Sequence, residues 1–365
     1  VPQNEWSYHF NILKYKPDIM VHGDDWNLSE DGKQLKIDAL KALKKVNAKL
    51  IEIPHTKNIS SSSLQSNMFK NGLINSTRQT YFRRILESKK ICRILETHSP
   101  LSALIAENVF YEEKGEKFEF DGFWSSSLTD STLRGKPDIE VLDLRERLKN
   151  INDIFDVTSK PLIMDIDTGG KNEHFEINIK TLENAGISAV IMEDKKGLKK
   201  NSLFGLEVKQ EQDSIKSFSK KIRLGKKATK NNIMIISRIE SLILNKPLAD
   251  AYKRAENYVN AGADGVMIHS KDKNPNQIFK FENKFKKEFN NIPLVVVPSS
   301  FNKVKEKQLI DSGFDIVIYA NHMLRASYPA MQNVAKNILK YKRSYESDKF
   351  LLSIKEILNL IPGTK

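Results

Sequence analysis

From residue 93 onward, short apolar runs that end in polar residues alternate with longer segments of helical periodicity. The runs occupy residues 93–97, 119–125, 162–168, 189–194, 233–239, 265–270, 294–299 and 316–321. Within 248–261, Leu248, Ala251, Ala255 and Val259 fall at i, i+3, i+7 and i+11, one face of a helix. Gly262 follows, where a left-handed residue is expected to end that helix. Residues 276–289 have the same character. Eight strand–helix units over roughly 270 residues predict an α/β fold, a (β/α)8 TIM barrel. A doubly wound open sheet is the alternative, but the glycine-rich dinucleotide fingerprint is absent.

Before residue 70 the pattern differs. Strand-like runs at 19–22 and 50–53 sit among polar turns, and Asn71-Gly72 and Asn75-Ser76 mark a loop. Residues 78–90 form a basic amphipathic stretch, read as a linker helix or as the first helix of the second unit. The expected organisation is a separate segment at 1–75, a linker helix at 76–90 and the barrel at 91–365.

Composition narrows the class without deciding it. Of 365 residues, 39% are hydrophobic, a globular share that excludes wholesale disorder. The single cysteine, Cys92, excludes an internal disulfide framework and a cysteine-based zinc site. The longest apolar runs, such as 293–298, are strand-sized, so no membrane span is expected. Lys+Arg exceed Asp+Glu by 59 to 46, a net charge of +13. The lysines are scattered (Lys195-Lys196, Lys199-Lys200, Lys220-Lys221, Lys226-Lys227) and no zinc-finger, RRM or KH pattern accompanies them. The surplus reads as solvated surface rather than as a nucleic-acid interface. The chain begins Val1-Pro2-Gln3, with no initiator Met and no signal-peptide pattern, so a cytoplasmic setting is expected.

The barrel reading demands chemistry at the strand ends. Glu96 and His98 follow the first run, Ser125 to Leu128 the second, Asp165 and Asp167 the third, Glu193 and Asp194 the fourth, Arg238 and Glu240 the fifth, and His269 the sixth. A lone strand-end carboxylate is ordinarily a helix cap or turn residue; six converging strand ends are not. Asp165 and Asp167 would share one strand face, since side chains alternate. Glu193 from the neighbouring strand adds a third oxygen donor, and no soft ligand stands among them. That set favours Mg2+ over Zn2+. Asp194 points to the opposite face and reads as structural. The polar loop 195–200 contains Gly197 and ends in the donors Asn201 and Ser202, which suits a charged, water-sensitive substrate. Arg238 offers a fork for a phosphate-like group, or else an ion pair with Glu240, and His269 a further donor.

These motifs carry a resemblance. Glu193-Asp194-Lys195, then five residues, then Asn201-Ser202 resembles the EDKx5NS motif of the phosphoenolpyruvate mutase family. Trp124-Ser125-Ser126-Ser127-Leu128-Thr129 resembles its oxyanion-binding turn, with Asp138 at the spacing of its catalytic aspartate. Asp165-Ile166-Asp167-Thr168-Gly169, Ile236-Ser237-Arg238-Ile239-Glu240, Met267-Ile268-His269-Ser270-Lys271 and Asn321-His322-Met323-Leu324-Arg325-Ala326-Ser327 follow in the family's order. The likeness covers residue 91 to the carboxyl terminus and implies a barrel of the phosphoenolpyruvate mutase/isocitrate lyase type. It implies Mg2+-dependent interconversion of phosphoenolpyruvate and phosphonopyruvate by intramolecular phosphoryl transfer. Ser126, Ser127 and Leu128 would bind the pyruvyl enolate, the last two through backbone N–H groups. Asp165 would ligate Mg2+ directly, with Asp167 and Glu193 acting through water. Asp138 would lie beside the migrating phosphoryl group. Asn201, Ser202, Arg238 and His269 would hold that group's oxygens, while Lys199 closes the loop over them. Ser127 stands where the family commonly has Gly, a change costing about 1 kcal/mol if φ is positive there. The lyases of this superfamily need a loop cysteine, and Cys92 is misplaced for that role. A phosphonopyruvate hydrolase is the alternative; the loop favours the mutase. A homo-oligomer, dimer or tetramer with exchanged terminal helices, is also implied.

A second resemblance lies upstream. His22-Gly23-Asp24-Asp25-Trp26 and His55-Thr56-Lys57-Asn58-Ile59-Ser60-Ser61-Ser62 resemble the GDDW and RTxGISTT runs of glycerol-3-phosphate-type cytidylyltransferases, with His55 for Arg and Asn58 for Gly. This implies a partial Rossmann-like nucleotidyltransferase segment in which Gly23, Asp24, Trp26, Ile59, Ser60 and Ser61 contribute to nucleotide binding. The HxGH motif that should precede them is absent before His22. The expectation is the carboxyl-terminal part of a cytidylyltransferase fused to a mutase, with CTP or CMP bound only by a complete domain.

Overall fold

The computed structural model describes residues 7–24, 26, 30–53, 75–197, 199–230 and 232–361. The chain divides into two compact units, Val1–Lys70 and Asn71–Lys365.

In the first unit, α1 (His9–Tyr15) precedes β1 (Ile19–Gly23), α2 (Glu30–Lys45) and β2 (Lys49–Ile53). The two strands pair in parallel, Ile19 opposite Lys49, so the chain crosses over through α2 between them. Ala39, Ala42 and Leu43 of α2 recur at helical spacing and pack with Ile12 and Trp26 against Met20 and Leu50. Trp26 is buried, its ring stacked on His22 at 3.6 Å between centroids, and Tyr8 Oη lies 3.0 Å from His22 Nε2. Gly23 ends β1 and Asp24 is exposed. Ile59, Ser60 and Ser61 lie outside the described residues.

The second unit opens with α3 (Asn75–Ser88), β3 (Cys92–Glu96), α4 (Pro100–Asn108), β4 (Phe110–Glu113), β5 (Glu116–Glu119), β6 (Gly122–Ser125), α5 (Ser127–Leu133), α6 (Leu144–Val157), β7 (Leu162–Asp165), α7 (Asn172–Asn184) and β8 (Ala189–Glu193). Two short strands, β9 (Lys195–Lys196) and β10 (Glu211–Gln212), pair antiparallel and bracket a loop. Then come α8 (Ile215–Ala228), β11 (Met234–Ile239), α9 (Leu248–Asn260), β12 (Gly265–Ile268), α10 (Asn276–Glu288), β13 (Leu294–Val296), α11 (Glu306–Ser312), β14 (Ile316–Tyr319), α12 (His322–Tyr341) and α13 (Ile354–Leu360). Strands β3, β6, β7, β8, β11, β12, β13 and β14 close into a parallel barrel, β14 pairing back to β3. Each of the eight expected runs supplies one strand. Among the described residues no helix is long and apolar enough to cross a membrane.

Alternation along the strands makes two apolar layers. Ile94, Trp124, Ile163, Ile191, Ile236, Met267, Val295 and Ile318 form the inner one. Their neighbours Leu95, Phe123, Met164, Val190, Ile235 and Val266 pack outward with the surrounding helices. Residues 75–88 take the second of their two readings, the first helix of this unit rather than a linker. Phe82 and Ile85 of α3 are buried in the inner layer. Arg78, also buried, donates to the carbonyls of Thr158 and Lys160 at 2.6 and 2.5 Å, and Gln79 to those of Glu183 and Ile187. Those carbonyls precede β7 and β8, so α3 closes the amino-terminal mouth of the barrel.

One difference from the expected strands concerns 119–125. Glu119 belongs to a β4–β5 hairpin that the alternation of the barrel runs does not reveal. Lys114 and Gly115 turn it with φ of 53° and 79°, the geometry of a two-residue hairpin turn of matching twist. Replacing Phe82 with Ala should destabilise the unit by about 3–5 kcal/mol through the cavity it leaves. Urea unfolding of the two proteins measures this; an unchanged midpoint would exclude α3 from the core.

Candidate active site

The inward files of the barrel change character along their length. Ile94 leads to Glu96, Trp124 to Ser126, Ile163 to Asp165, Ile191 to Glu193, Ile236 to Arg238 and Glu240, and Met267 to His269. Polar groups therefore collect at the carboxyl ends of the strands. A cavity of about 80 Å³ lies there, lined by Ser126, Ser127, Leu128, Asp138, Asp165, Lys199, Asn201, Ser202, Arg238 and His269. That is far below the ~300–1,000 Å³ of pockets for drug-sized ligands and suits a small polyanion. Trp124, Leu203, Met267, Ser270, Val297, Ser299, Ser300, Ala320 and Asn321 complete its wall, and apart from Trp124, which begins the oxyanion-binding turn, the sequence reading assigned none of them to it. Glu96 and His98 do not line it. Glu96 instead accepts from the N–H groups of Met323 and Leu324 at 3.0 and 3.1 Å, capping α12, and lies 2.7 Å from His98 Nδ1.

The 195–200 loop reaches across this cavity. Lys199 Nζ donates to Asp138 Oδ1 at 2.8 Å and also contacts Ser127 Oγ and Asp167 Oδ1. Asn201 Nδ2 donates to Asp138 Oδ2 at 2.8 Å, so two loop residues grip one carboxylate. Burial opposes the charge on Lys199, but Asp167, Asp165 and Asp138 raise its pKa above the ordinary lysine value. The root of the loop is fixed by Lys195, whose ammonium donates to Ser202 Oγ at 2.9 Å and to the Lys200 carbonyl and Gln210 Oε1, both at 2.8 Å.

Arg238 shows both of its expected behaviours, because it lines the cavity while its Nε donates to Glu240 Oε1 at 2.7 Å. Its Nη2 contacts Glu193 and donates to Ser202 Oγ at 3.1 Å, and its Nη1 lies 3.5 Å from Asp165 Oδ2. His269 Nδ1 is 2.9 Å from the same Glu240 oxygen. Burial works against ionised Glu240, yet Arg238 and His269 hold its pKa well below the usual range. Asp194, as expected, faces away from Glu193. It accepts from Tyr258 Oη, Gln212 Nε2 and Arg254 Nη1, and the Glu240 N–H binds its other oxygen. Burial nevertheless lifts its pKa to about 6.

Two expectations need correction. Asp165 and Asp167 do not share a strand face: β7 ends at Asp165, and Asp167 sits in a turn at φ 54°. The turn is closed by the Gly169 N–H on the Ile166 carbonyl at 2.8 Å, and Asp167 N–H donates to Asp165 Oδ1 at 2.9 Å. A left-handed non-glycine residue costs about 1–2 kcal/mol, the kind of strain found at functional sites. The convergence of three carboxylates is also looser than the sequence suggests, since Arg238 stands between Asp165 and Glu193 and Lys199 before Asp167. The concern over Ser127 disappears. It opens α5 after the cap residue Ser126 and does not have positive φ.

Sequence reasoning missed Arg147. Its buried guanidinium donates to Asp130 Oδ2 at 2.9 Å and to the carbonyls of Asp165 and Ser125 at 2.5 and 3.3 Å. It lies 3.8 Å from Asp167 Oδ2. Its signal was available, an arginine on the apolar stripe that Ile151 and Ile154 continue along α6. Burial pushes the Asp165 carboxyl up, but Lys199, Arg238 and Arg147 together hold it below its ordinary value. Asp167 goes the other way, raised by burial and by Asp165.

The donor set fits a hard cation. Asp165, Asp167 and Glu193 are buried, and Asp167 Oδ1 and Glu193 Oε1 accept no hydrogen bond. Lys199 and Lys195 face those two oxygens as ion-pair partners only. Asp130, Asp138, Asp165, Asp167, Glu193 and Glu240 set six carboxylates against the four cationic side chains Arg147, Lys195, Lys199 and Arg238, an excess of two carboxylates. Among the described residues no group of three or more His, Cys, Asp or Glu side chains is arranged to hold a metal ion by itself. A partly hydrated Mg2+ held by one or two carboxylates meets both conditions.

A closed parallel barrel with this acidic, loop-covered site at its carboxyl ends defines an enzyme of the phosphoenolpyruvate mutase/isocitrate lyase superfamily. Residues 82–339 match the phosphoenolpyruvate phosphomutase family model, and the chain belongs to that family. It is 32% identical over 297 residues to the phosphoenolpyruvate phosphomutase of Tetrahymena pyriformis, covering 81% of this chain and 95% of that one. The structure of the phosphoenolpyruvate phosphomutase from Streptomyces platensis subsp. rosaceus is similar, with a TM-score of 0.70 and 32% identity over 77% of this chain and 94% of that one. A phosphonopyruvate hydrolase in complex with oxalate and Mg2+ is nearly as similar, with a TM-score of 0.68 and 32% identity over 78% and 94% of the two chains.

Replacing Arg147 with Met should cost about 3–5 kcal/mol of stability, because it strands buried carboxylates without their cation. Chemical denaturation measures the loss; a cost under about 1 kcal/mol, that of a surface pair, would contradict this account of the site.

Proposed function

We propose that the protein is a phosphoenolpyruvate mutase interconverting phosphoenolpyruvate and phosphonopyruvate. The observation that carries this reading is the double grip of Lys199 and Asn201 on Asp138, which draws the loop over the cavity. Moving phosphorus from enol oxygen to C3 requires that water be kept from the group in transit. The bridging O–P bond breaks, the C3–P bond forms, C2 keeps its oxygen as a carbonyl, and no atom enters or leaves the molecule.

The chain's residues divide this task. Ser126 caps α5, and the first-turn N–H groups of Ser127 and Leu128, unpaired within the helix, would hold the enolate oxygen. Asp138 lies beside the phosphoryl group, and Asn201, Ser202, Arg238 and His269 hold its oxygens. Lys199 covers them. Asp165, with Asp167 and Glu193, would hold Mg2+, which when bound supplies positive charge to the enolate and phosphoryl oxygens. Holding both fragments aligned in one dry cavity is the main catalytic device.

The likeness to a phosphonopyruvate hydrolase favours a second reading, in which water takes the phosphoryl group. With phosphonopyruvate and Mg2+, ³¹P NMR should show phosphoenolpyruvate as product. Inorganic phosphate alone would establish the hydrolase. Chelating the metal should abolish turnover, and Asp138→Ala should lower kcat by at least about 100-fold. Full activity in that variant would overturn the site assignment.

For residues 1–75 we propose the carboxyl-terminal part of a cytidylyltransferase-like domain. The parallel β1–α2–β2 unit supports this, with Gly23 and Asp24 at the carboxyl end of β1, where α/β sheets bind ligands. Without the HxGH pair, this chain should release no pyrophosphate from CTP; release would refute the proposal.

A further inference from the structure

The Ser127 side chain does something that its backbone N–H does not require. Its hydroxyl is buried, donates to Asp165 Oδ2 at 3.2 Å, and faces the ammonium of Lys199. An ammonium has three donors and no acceptor. Lys199 donates two of them, to Asp138 Oδ1 and to Ser127 Oγ, and Asp167 Oδ1 faces the ammonium as an ion-pair partner. The two carboxylates attract the lysine wherever it sits nearby, through charge. The hydroxyl is different, because a serine oxygen fixes one direction and is itself oriented by Asp165. It links the loop that bears Lys199 to the first turn of α5 and to β7.

We propose that the Ser127 hydroxyl is a positioning group that latches the loop lysine, and so sets how often turnover ends in attack by water. The inference rests on the mutase reading for its consequence, but the latch stands on geometry alone. Without the hydroxyl, one N–H of a buried ammonium loses its acceptor, and the closed loop loses a charge-assisted bond. A bond of that class shifts a closed–open equilibrium by about tenfold. An opened loop admits water to the phosphoryl group in transit. Phosphate and pyruvate then form at the expense of the C–P or C–O–P product, water supplying the incoming oxygen and the enolate taking up a proton at C3.

Two measurements on the full chain test this in Ser127→Ala and Ser127→Gly, with Ser127→Thr as the hydroxyl-retaining control. The first is the rate of tryptic cleavage at Lys196, Lys199 and Lys200, followed by mass spectrometry. The second is the ratio of phosphate to phosphoenolpyruvate formed from phosphonopyruvate and Mg2+, followed by ³¹P NMR. The Ala and Gly variants should be cut in the loop about tenfold faster, with other tryptic sites unchanged, and should release a correspondingly larger share of phosphate. The Thr variant should restore both. Loop cleavage in the Ala and Gly variants at the rate of the unsubstituted protein would overturn the latch. Faster cleavage with an unchanged product ratio would overturn its role in partitioning. If the unsubstituted protein releases only phosphate, the mutase reading fails, and the cleavage rates still decide the latch. Should one of the two variants not fold, the other carries the test.

Discussion

The upper half of the barrel depends on charges that have almost no water to solvate them. Asp165, Glu193 and Glu240 rise on adjacent inward files, with Arg238 among them, Arg147 behind and Lys199 in front. None of these groups is tolerable alone at such burial, and each is held by the others. The consequence is visible in how neighbours diverge. Asp165, faced by three cations, is kept ionised, while Asp167, two residues on, is pushed toward its neutral form by burial and by Asp165. The lower half has no such constraint. Isoleucines and methionines fill it, and α3 seals it with Phe82. The barrel is thus an apolar plug supporting a layer of mutually dependent charge.

That division explains what was legible in the sequence. A strand buried on both faces shows as an apolar run, and a file that turns from Ile to Asp or Glu at its last residue marks the carboxyl end. Eight strands and the strand-end part of the cavity wall could therefore be placed from pattern, while Asp138 and Lys199 came only with the family resemblance. What depends on position off the strands could not. Arg147 reaches the site from a helix whose stripe otherwise looks like ordinary core. Asp167 arrives through a strained turn, although strand alternation would have put it in the same place for the wrong reason. The β4–β5 hairpin is exposed along β4, so it leaves no apolar run; only Lys114-Gly115 announces it. Ser299, Ser300 and Asn321 close the wall from strands that end without charge, and single neutral polar residues carry little signal.

The N-terminal unit was harder to read because it is small. Its core draws on a few side chains around Trp26, and its two strands are largely exposed on one face. Parallel sheets usually carry cover on both faces. Local motifs then carry more of the argument than packing does, and only part of one of the two cytidylyltransferase-like runs, His22, Gly23, Asp24 and Trp26, falls among the described residues.

The phosphoenolpyruvate phosphomutases and the phosphonopyruvate hydrolase that resemble this chain are named for activities that differ by one molecule of water. A mutase and a hydrolase both have to polarise the pyruvyl group, hold the phosphoryl oxygens and neutralise the charge of the metal-binding carboxylates. Overall similarity does not separate them, since both kinds of relative match this chain at 32% identity. What separates them must act on the time that the enolate and the phosphoryl group spend together behind a closed loop. In this chain the loop is tied down by a lysine that donates to Asp138 and Ser127 and pairs with Asp167, and by an asparagine on the same Asp138. On the reading proposed above, the strand ends define the class of chemistry, and the loop that covers them is where its two members would part.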